Sequence, residues 1–296
     1  MQIRPIPQQR VIEKMDEYMS RRDYAGAERH LLYWLEEAKQ GRDLRGQLMV
    51  RNELIGHFRK TANRERALEN VDQALHLLHE MDFSNSISAG TTYVNAATAC
   101  NAFGENERAM ELFEKARAVY ETQGGKPAVP GADPQLLGGL YNNMALTCVA
   151  LAGEARASCD TANRKESGDT AERNAAEWFD RAFSLYKRAL EQMRRVTNGE
   201  LEQAITYLNM ADAREGRDGP EAAEKEIETL LDTAYDLLQT PSVPRDGYYA
   251  FVCEKCAPTF SYYGYFLAAD DLQKKADELY GRKADEICGK REERKQ

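Results

Sequence analysis

Cys253 and Cys256 stand two residues apart in the run Cys-Glu-Lys-Cys, a spacing that serves half of a zinc site or a dithiol redox pair. Zinc takes four ligands, and no second Cys-x-x-Cys or nearby histidine completes the set. The redox reading needs a strand-to-helix turn, which the surrounding residues do not offer. On a helix the two thiols fall on one face, so packing is the expected role. His76 and His79, three apart, could share a metal ion, but the chain has only four histidines, the others being His30 and His57, and no cysteine lies near the pair in sequence. Adjacent carboxylates such as Glu36 with Glu37 and Asp270 with Asp271 sit among basic residues, the pattern of a solvated helix face. No glycine-rich phosphate loop, His-Glu-x-x-His or Gly-x-Ser-x-Gly run occurs. The chain is therefore expected to be no enzyme and to carry no cofactor and no metal.

The elements that would position these residues are bounded by bulk properties. The 296 residues carry 40 basic and 49 acidic side chains, a formal charge of −9, which argues against a nucleic-acid partner because such binding needs a basic face. No run approaches the roughly 18 consecutive apolar residues of a membrane span. The polar start, Met1–Arg10 with Pro5 and Pro7, lacks the apolar stretch of a secretory signal. A cytoplasmic protein with no membrane partner is expected. Its six cysteines, Cys100, Cys148, Cys159, Cys253, Cys256 and Cys288, are then expected to be reduced thiols.

Repeats organise the chain. In Thr91–Tyr120, Tyr93, Asn95, Ala97 and Cys100 lie on one helical segment, Gly104 ends that helix, and Ala109, Phe113 and Ala116 lie on the next. Two antiparallel helices need small residues where they cross closely and large ones beside the crossing. Ala97 and Ala109 are the expected close-approach pair. The same twelve-residue step links Met15 to Ala27, Ile55 to Ala67, Ala211 to Ala223 and Ala257 to Ala269, while Ala145 and Ala175 are thirty apart. The segment resembles a tetratricopeptide repeat: Tyr93, Asn95, Ala97, Gly104, Ala109, Phe113 and Ala116 match, and Cys100 replaces an aromatic. Anchor gaps of 40, 42, 48, 66 and 46 residues exceed the usual period of about 34, so the likeness is to long-period variants such as kinesin light chain repeats. The resemblance implies an all-α, right-handed superhelical solenoid of about six antiparallel helix pairs, forming one domain over 1–296. The units fall near 8–40, 47–82, 90–122, 135–196, 200–239 and 247–289.

Three stretches should interrupt the helices. Gly124–Pro134, rich in Gly and Pro, is expected to be a loop. Gly153–Arg173, polar and poor in large apolar residues, is expected to be an exposed excursion inside the fourth unit. Thr240–Gly247 is expected to be a linker. The last unit is dense in aromatics: Tyr248, Tyr249, Phe251, Phe260, Tyr262, Tyr263, Tyr265 and Phe266. Pro258 should kink its first helix. Those rings could form core, an end cap, a dimer contact or a ligand surface. The tail Lys290–Gln296 reads as a solvated helix end.

In the family resembled, the first helix of each pair lines a concave surface that binds protein segments. Carried over, the groove residues are Asn52, Arg59 and Lys60; Thr91, Asn95, Thr98 and Asn101; Asn142 and Asn143; Asn209, Asp212 and Glu215. An asparagine amide both donates and accepts, so it can pair with any peptide backbone, and it can equally brace the repeat itself. The carboxylate clamp of chaperone-binding members does not carry over, because Ile12 or Asn52, and later Gly139, stand where its basic residues belong. The expected function is a scaffold or adaptor binding a protein or extended peptide. The alternatives are a peptide-responsive signalling regulator acting through a partner protein, and a structural protein that self-associates, as a homodimer, through the aromatic last unit.

Overall fold

The computed structural model describes residues 3–122, 133–160 and 165–293, with side chains placed except for those of 158–168 and 282–293. These residues form twelve α-helices and no strand. The chain divides into two compact units, Met1–Ala132 and Asp133–Gln296. Unit 1 holds α1 (Gln8–Ser20), α2 (Tyr24–Gln40), α3 (Leu44–Lys60), α4 (Arg64–Glu80), α5 (Ile87–Ala102) and α6 (Asn106–Thr122). Unit 2 holds α7 (Pro134–Asp160), α8 (Lys165–Met193), α9 (Glu200–Asp218), α10 (Pro220–Gln239), α11 (Gly247–Tyr262) and α12 (Phe266–Glu293). Consecutive helices pair, and within each unit each pair packs on the next, the arrangement of an all-α solenoid.

The small residues decide the pairing. Ala97, Ala145, Ala211 and Ala257 on the first helices are buried, with the larger Met15 and Ile55 in their place in the first two pairs, as are Ala27, Ala67, Ala109, Ala175, Ala223 and Ala269 on the second. Helix axes can approach only where such side chains meet, and Phe58, Phe113, Phe179 and Phe260, also buried, fill the space beside them.

In unit 1 the first three turns are each set by a pair of neighbours. Arg22, Arg42 and Ala62 adopt φ of 54°, 53° and 54°, reversing the chain in the left-handed region. The next residue caps the following helix. Asp23 accepts from the Gly26 N–H at 2.8 Å, Asp43 from that of Gly46 at 2.9 Å, and Asn63 from that of Arg66 at 3.2 Å. Asp43 does more, since its Oδ2 accepts from the Ile6 N–H at 2.9 Å. With the Arg4 N–H donating to the Gly41 carbonyl at 2.9 Å, this straps the N-terminal segment over the α2–α3 turn and buries Ile6. A Cβ on Gly46 would lie 2.2 Å from Asp43 Oδ2, so a side chain there would push that carboxylate away from the bonds it makes.

Unit 2 is built on longer helices, 27 residues in α7 and 29 in α8. The polar stretch Gly153–Arg173, expected as a non-helical excursion, is helical up to Asp160 and again from Lys165. Its composition misleads because Ala, Glu and Arg in Ala155–Ala157 and Thr170–Ala176 favour helix as strongly as the Ser, Gly and Asp between them favour turns. Arg156 ties the extension down. It donates from Nε to Glu172 at 2.9 Å, from Nη2 to the Arg217 carbonyl at 3.2 Å and from Nη1 to the Gly216 carbonyl, and its guanidinium lies over the Phe179 ring. By length and composition Pro134–Ala157 would pass for a membrane span, against the expectation that no run would. Its apolar residues Leu140, Tyr141, Met144, Ala145 and Cys148 are buried within unit 2. Thr240–Asp246 is non-helical, and Arg245 closes it by donating to the Leu238 carbonyl at 2.9 Å while stacking over Tyr249. Helix α11 runs through Pro258. Of the expected loop Gly124–Pro134, residues up to 132 lie outside the described residues, as do 294–296 of the tail.

Candidate binding surfaces

In unit 1 a recess of about 500 Å³ opens between α1, α3 and α5. Its wall carries a chain of amides and hydroxyls. Asn52 Nδ2 donates to Thr92 Oγ1 at 3.0 Å and to the Leu48 carbonyl at 3.0 Å, and its Oδ1 accepts from Asn95 Nδ2 at 3.1 Å. Gln8, Arg45, Ser88 and Thr91 are exposed at the rim. Burial, and Asp16 nearby, raise the carboxyl of Glu53 in the same recess above the usual carboxylate range.

The other carried-over residues of unit 1 do not join this recess. Lys60 Nζ sits 5.4 Å above the Tyr24 ring, and Arg59 is exposed in the last turn of α3. Thr98 Oγ1 donates to the Val94 carbonyl of its own helix at 2.7 Å. Asn101 Nδ2 donates to Asn106 Oδ1 at 2.7 Å, so this side chain, expected to face a ligand, braces the α5–α6 turn.

Unit 2 repeats the amide pairing. Asn209 Nδ2 on α9 donates to Asn142 Oδ1 on α7 at 3.0 Å. Asn52 and Asn142 each stand three residues before their helix anchor, while Asn95 and Asn209 each stand two before theirs. Thus the same register links successive first helices in both units. The sequence signal was present in that register, but the direct amide-to-amide bond is a tertiary fact. Asn143, beside this pair, is half-buried.

Asp212 and Glu215, expected as acidic groove residues, meet Tyr262 and Tyr263 at the end of α11. The Tyr263 hydroxyl lies 2.9 Å from Glu215 Oε2 and 3.1 Å from Asp212 Oδ1, and the Tyr262 hydroxyl donates to Glu215 Oε1 at 3.1 Å. Burial and these carboxylates push the Tyr263 hydroxyl well above the ordinary phenol range. A second recess, about 700 Å³, opens here between α9, α10 and the α11–α12 turn, with Glu221, Glu224 and Glu228 on its α10 side. Sequence reasoning missed these three glutamates. Their spacing of three and four puts them on one helix face, but the carried-over positions covered only first helices.

The aromatic last unit splits in two. Tyr249 and Phe260 are fully buried, whereas Tyr248, Phe251, Tyr262 and Phe266 are exposed. The described cysteines, Cys100, Cys148, Cys253 and Cys256, are buried free thiols. Burial pushes Cys256 up to about 12 and raises Cys253 too, the reverse of what a reactive dithiol needs. Among the described residues no three His, Cys, Asp or Glu side chains cluster as metal ligands, and His76 and His79 are exposed on α4.

No protein-family model matches the chain, and no curated protein matches its sequence. Among solved structures, the crystal structure of BtubC (BKLC) from P. vanneervenii is similar over 95% of this chain and 93% of that one, at 15% identity and a TM-score of 0.43.

Proposed function

We propose that the chain is a non-enzymatic, tetratricopeptide-type scaffold that binds a protein segment, and that the unit 1 recess receives that segment in extended form. The observation carrying this reading is the amide–hydroxyl chain Thr92–Asn52–Asn95 on an open concave wall. An extended peptide brings unpaired N–H and C=O groups, while the helices around the recess have satisfied their own. Only side chains can answer those groups. Asn95 gives one amide hydrogen to Asn52, and its second N–H and its carbonyl are left for a ligand. The pairing also fixes the amides in place, which lowers the ordering cost of binding. The tetratricopeptide assignment rests on the twelve-residue step between buried small residues and on the repeated amide register.

The test is selection of a displayed random-peptide library on the full chain, with a Ser88→Trp variant as counter-screen. Ser88 is exposed at the rim, so tryptophan fills the recess without breaking the bonds along its wall. Enriched peptides that bind the parent and fail on the variant support the reading. No enrichment, or equal binding to both proteins, overturns it.

A further inference from the structure

A different surface lies at the α11–α12 turn. Tyr262 is 70% exposed, Phe266 65% and Leu267 88%, an unusual concentration of large apolar side chains in solvent. They are continuous: the recess beside Tyr262 and a second hollow of about 510 Å³ beside Phe266 and Leu267 share Gly264 and Tyr265 as a common wall. The aromatic part is held in place. The bond from Tyr262 to Glu215 fixes its hydroxyl, and its ring packs edge-on against Tyr263 at 4.9 Å.

Charge says what covers this surface. Glu221, Glu224 and Glu228 flank the apolar patch, all exposed. Among the described residues none of the three makes an ion pair; of the cations nearby Arg214 is engaged with Asp218 and Glu226 and Arg217 with Asp180, which leaves Lys225, exposed on the same helix, as one cation beside three carboxylates. The imbalance is regional, since residues 201–250 hold 11 acidic and 4 basic side chains. An acidic or neutral partner would leave those carboxylates facing like charge or desolvated without compensation. A basic one answers them, and its cations can also lie over the Tyr262 ring.

We propose that the α11–α12 turn and the adjoining face of α10 dock a short basic segment of another protein. Its apolar side chains cover Tyr262, Phe266 and Leu267, and its Lys or Arg side chains reach Glu221, Glu224 and Glu228. The site is separate from the unit 1 recess and stands whether or not that recess binds peptide.

The experiment is fluorescence anisotropy on the full chain with two labelled amphipathic probes of identical leucine spacing, one with lysine and one with glutamate at the intervening positions. The lysine probe binds and the glutamate probe does not. Binding weakens at least about tenfold in Glu221→Lys/Glu224→Lys/Glu228→Lys and in Phe266→Ser/Leu267→Ser, and it weakens as salt rises. Both variants change exposed positions, and circular dichroism checks that their helicity is retained. Ser88→Trp keeps full affinity for the lysine probe, so failure here and failure of the recess reading are told apart. Equal binding of the two probes, binding of neither, or affinity unchanged in both variants overturns the proposal. Sedimentation without peptide gives the last arm: a concentration-dependent dimer of the parent, lost in Phe266→Ser/Leu267→Ser, would assign the surface to a second copy of this chain instead.

Discussion

Unit 1 reverses its chain at three of its turns through Arg22, Arg42 and Ala62 in the left-handed region, each followed by a capping Asp or Asn, with Asp82 and Gly104 at the other two, whereas unit 2 turns through Asn198, Gly219 and Gly264. Unit 1 has 18 basic and 19 acidic residues; unit 2 has 22 and 30. All four histidines lie in unit 1. Both units share the amide pairing, but unit 1 turns more of its polar groups inward, as three successive caps and the N-terminal strap, and leaves a charge-balanced surface. Unit 2 gains its order from long helices and aromatic packing, and its carboxylates stay outside. The difference teaches that one repeat geometry can be held by two chemistries, and that the unit needing fewer buried polar staples has more surface charge free to select a partner. Each unit carries one tryptophan, Trp34 on α2 and Trp178 on α8, so either can be followed alone once the other is replaced by phenylalanine.

The comparison is broken most severely at Asp43. Asp43→Ala removes the α3 cap, about 1 kcal/mol, and strands the Ile6 N–H under the strap, about 1–3 kcal/mol more. A loss of about 2–4 kcal/mol is expected in urea unfolding followed at Trp34. The matching change in unit 2, Arg156→Ala, removes a partly exposed guanidinium from Glu172 and the α9 carbonyls, and it should cost only about 1–2 kcal/mol at Trp178. An equal or larger loss at Arg156 would mean that unit 2 also depends on polar staples.

How much could be read from residues alone follows from the range of the forces involved. Small residues at a helix crossing obey a local periodicity, so Ala97 with Ala109 and Ala211 with Ala223 could be placed from spacing alone. The turns at Arg22, Arg42 and Ala62 could not be read the same way, unlike that at Gly104, because arginine and alanine at positive φ carry no local signature and are held there by the cap that follows. Residues 153–173 mixed turn formers with helix formers, and only contacts from Arg156 to Glu172 and α9 decide the balance. Among the site residues, the amide type of Asn52, Asn95, Asn142 and Asn209 was legible, but not that they bond to one another. The glutamates of α10 become a surface only when the α11–α12 turn is laid beside them.

Histidine separates the units by pH. His57 is 3% exposed with both ring nitrogens unbonded, and Glu28 Oε2 stands 3.7 Å away, beyond hydrogen-bond reach. Burial lowers its pKa; the Glu28 carboxylate raises it, but by less, and Arg66 adds to the lowering. With the folded pKa below the unfolded value near 6.5, the unfolded chain takes up the proton first. Unit 1 therefore keeps its full stability above about pH 6.5 and loses it as pH falls below that value. Urea midpoints at Trp34 should drop between about pH 7.5 and about pH 5.5, and His57→Leu should flatten that drop. Unit 2 has no histidine, so Trp178 should show no such step. A step that survives His57→Leu would place the titration on another group.

The smallest effect sharpens the difference in turns. Ala62, exposed at φ 54°, bears a steric cost that glycine avoids, so Ala62→Gly should stabilise unit 1 by about 0.5–1 kcal/mol despite the greater freedom of glycine when unfolded. At Gly264, φ 82°, the reverse change has the opposite sign. A Cβ added there would meet no atom within 4 Å, so Gly264→Ala isolates the backbone cost, about 1 kcal/mol. Opposite shifts at Trp34 and Trp178 would show that both turns use the same left-handed geometry and that unit 1 tolerates a side chain there only because its caps compensate. Loss of stability in both variants would mean that Ala62 is held by contacts of its methyl group and not by Asn63.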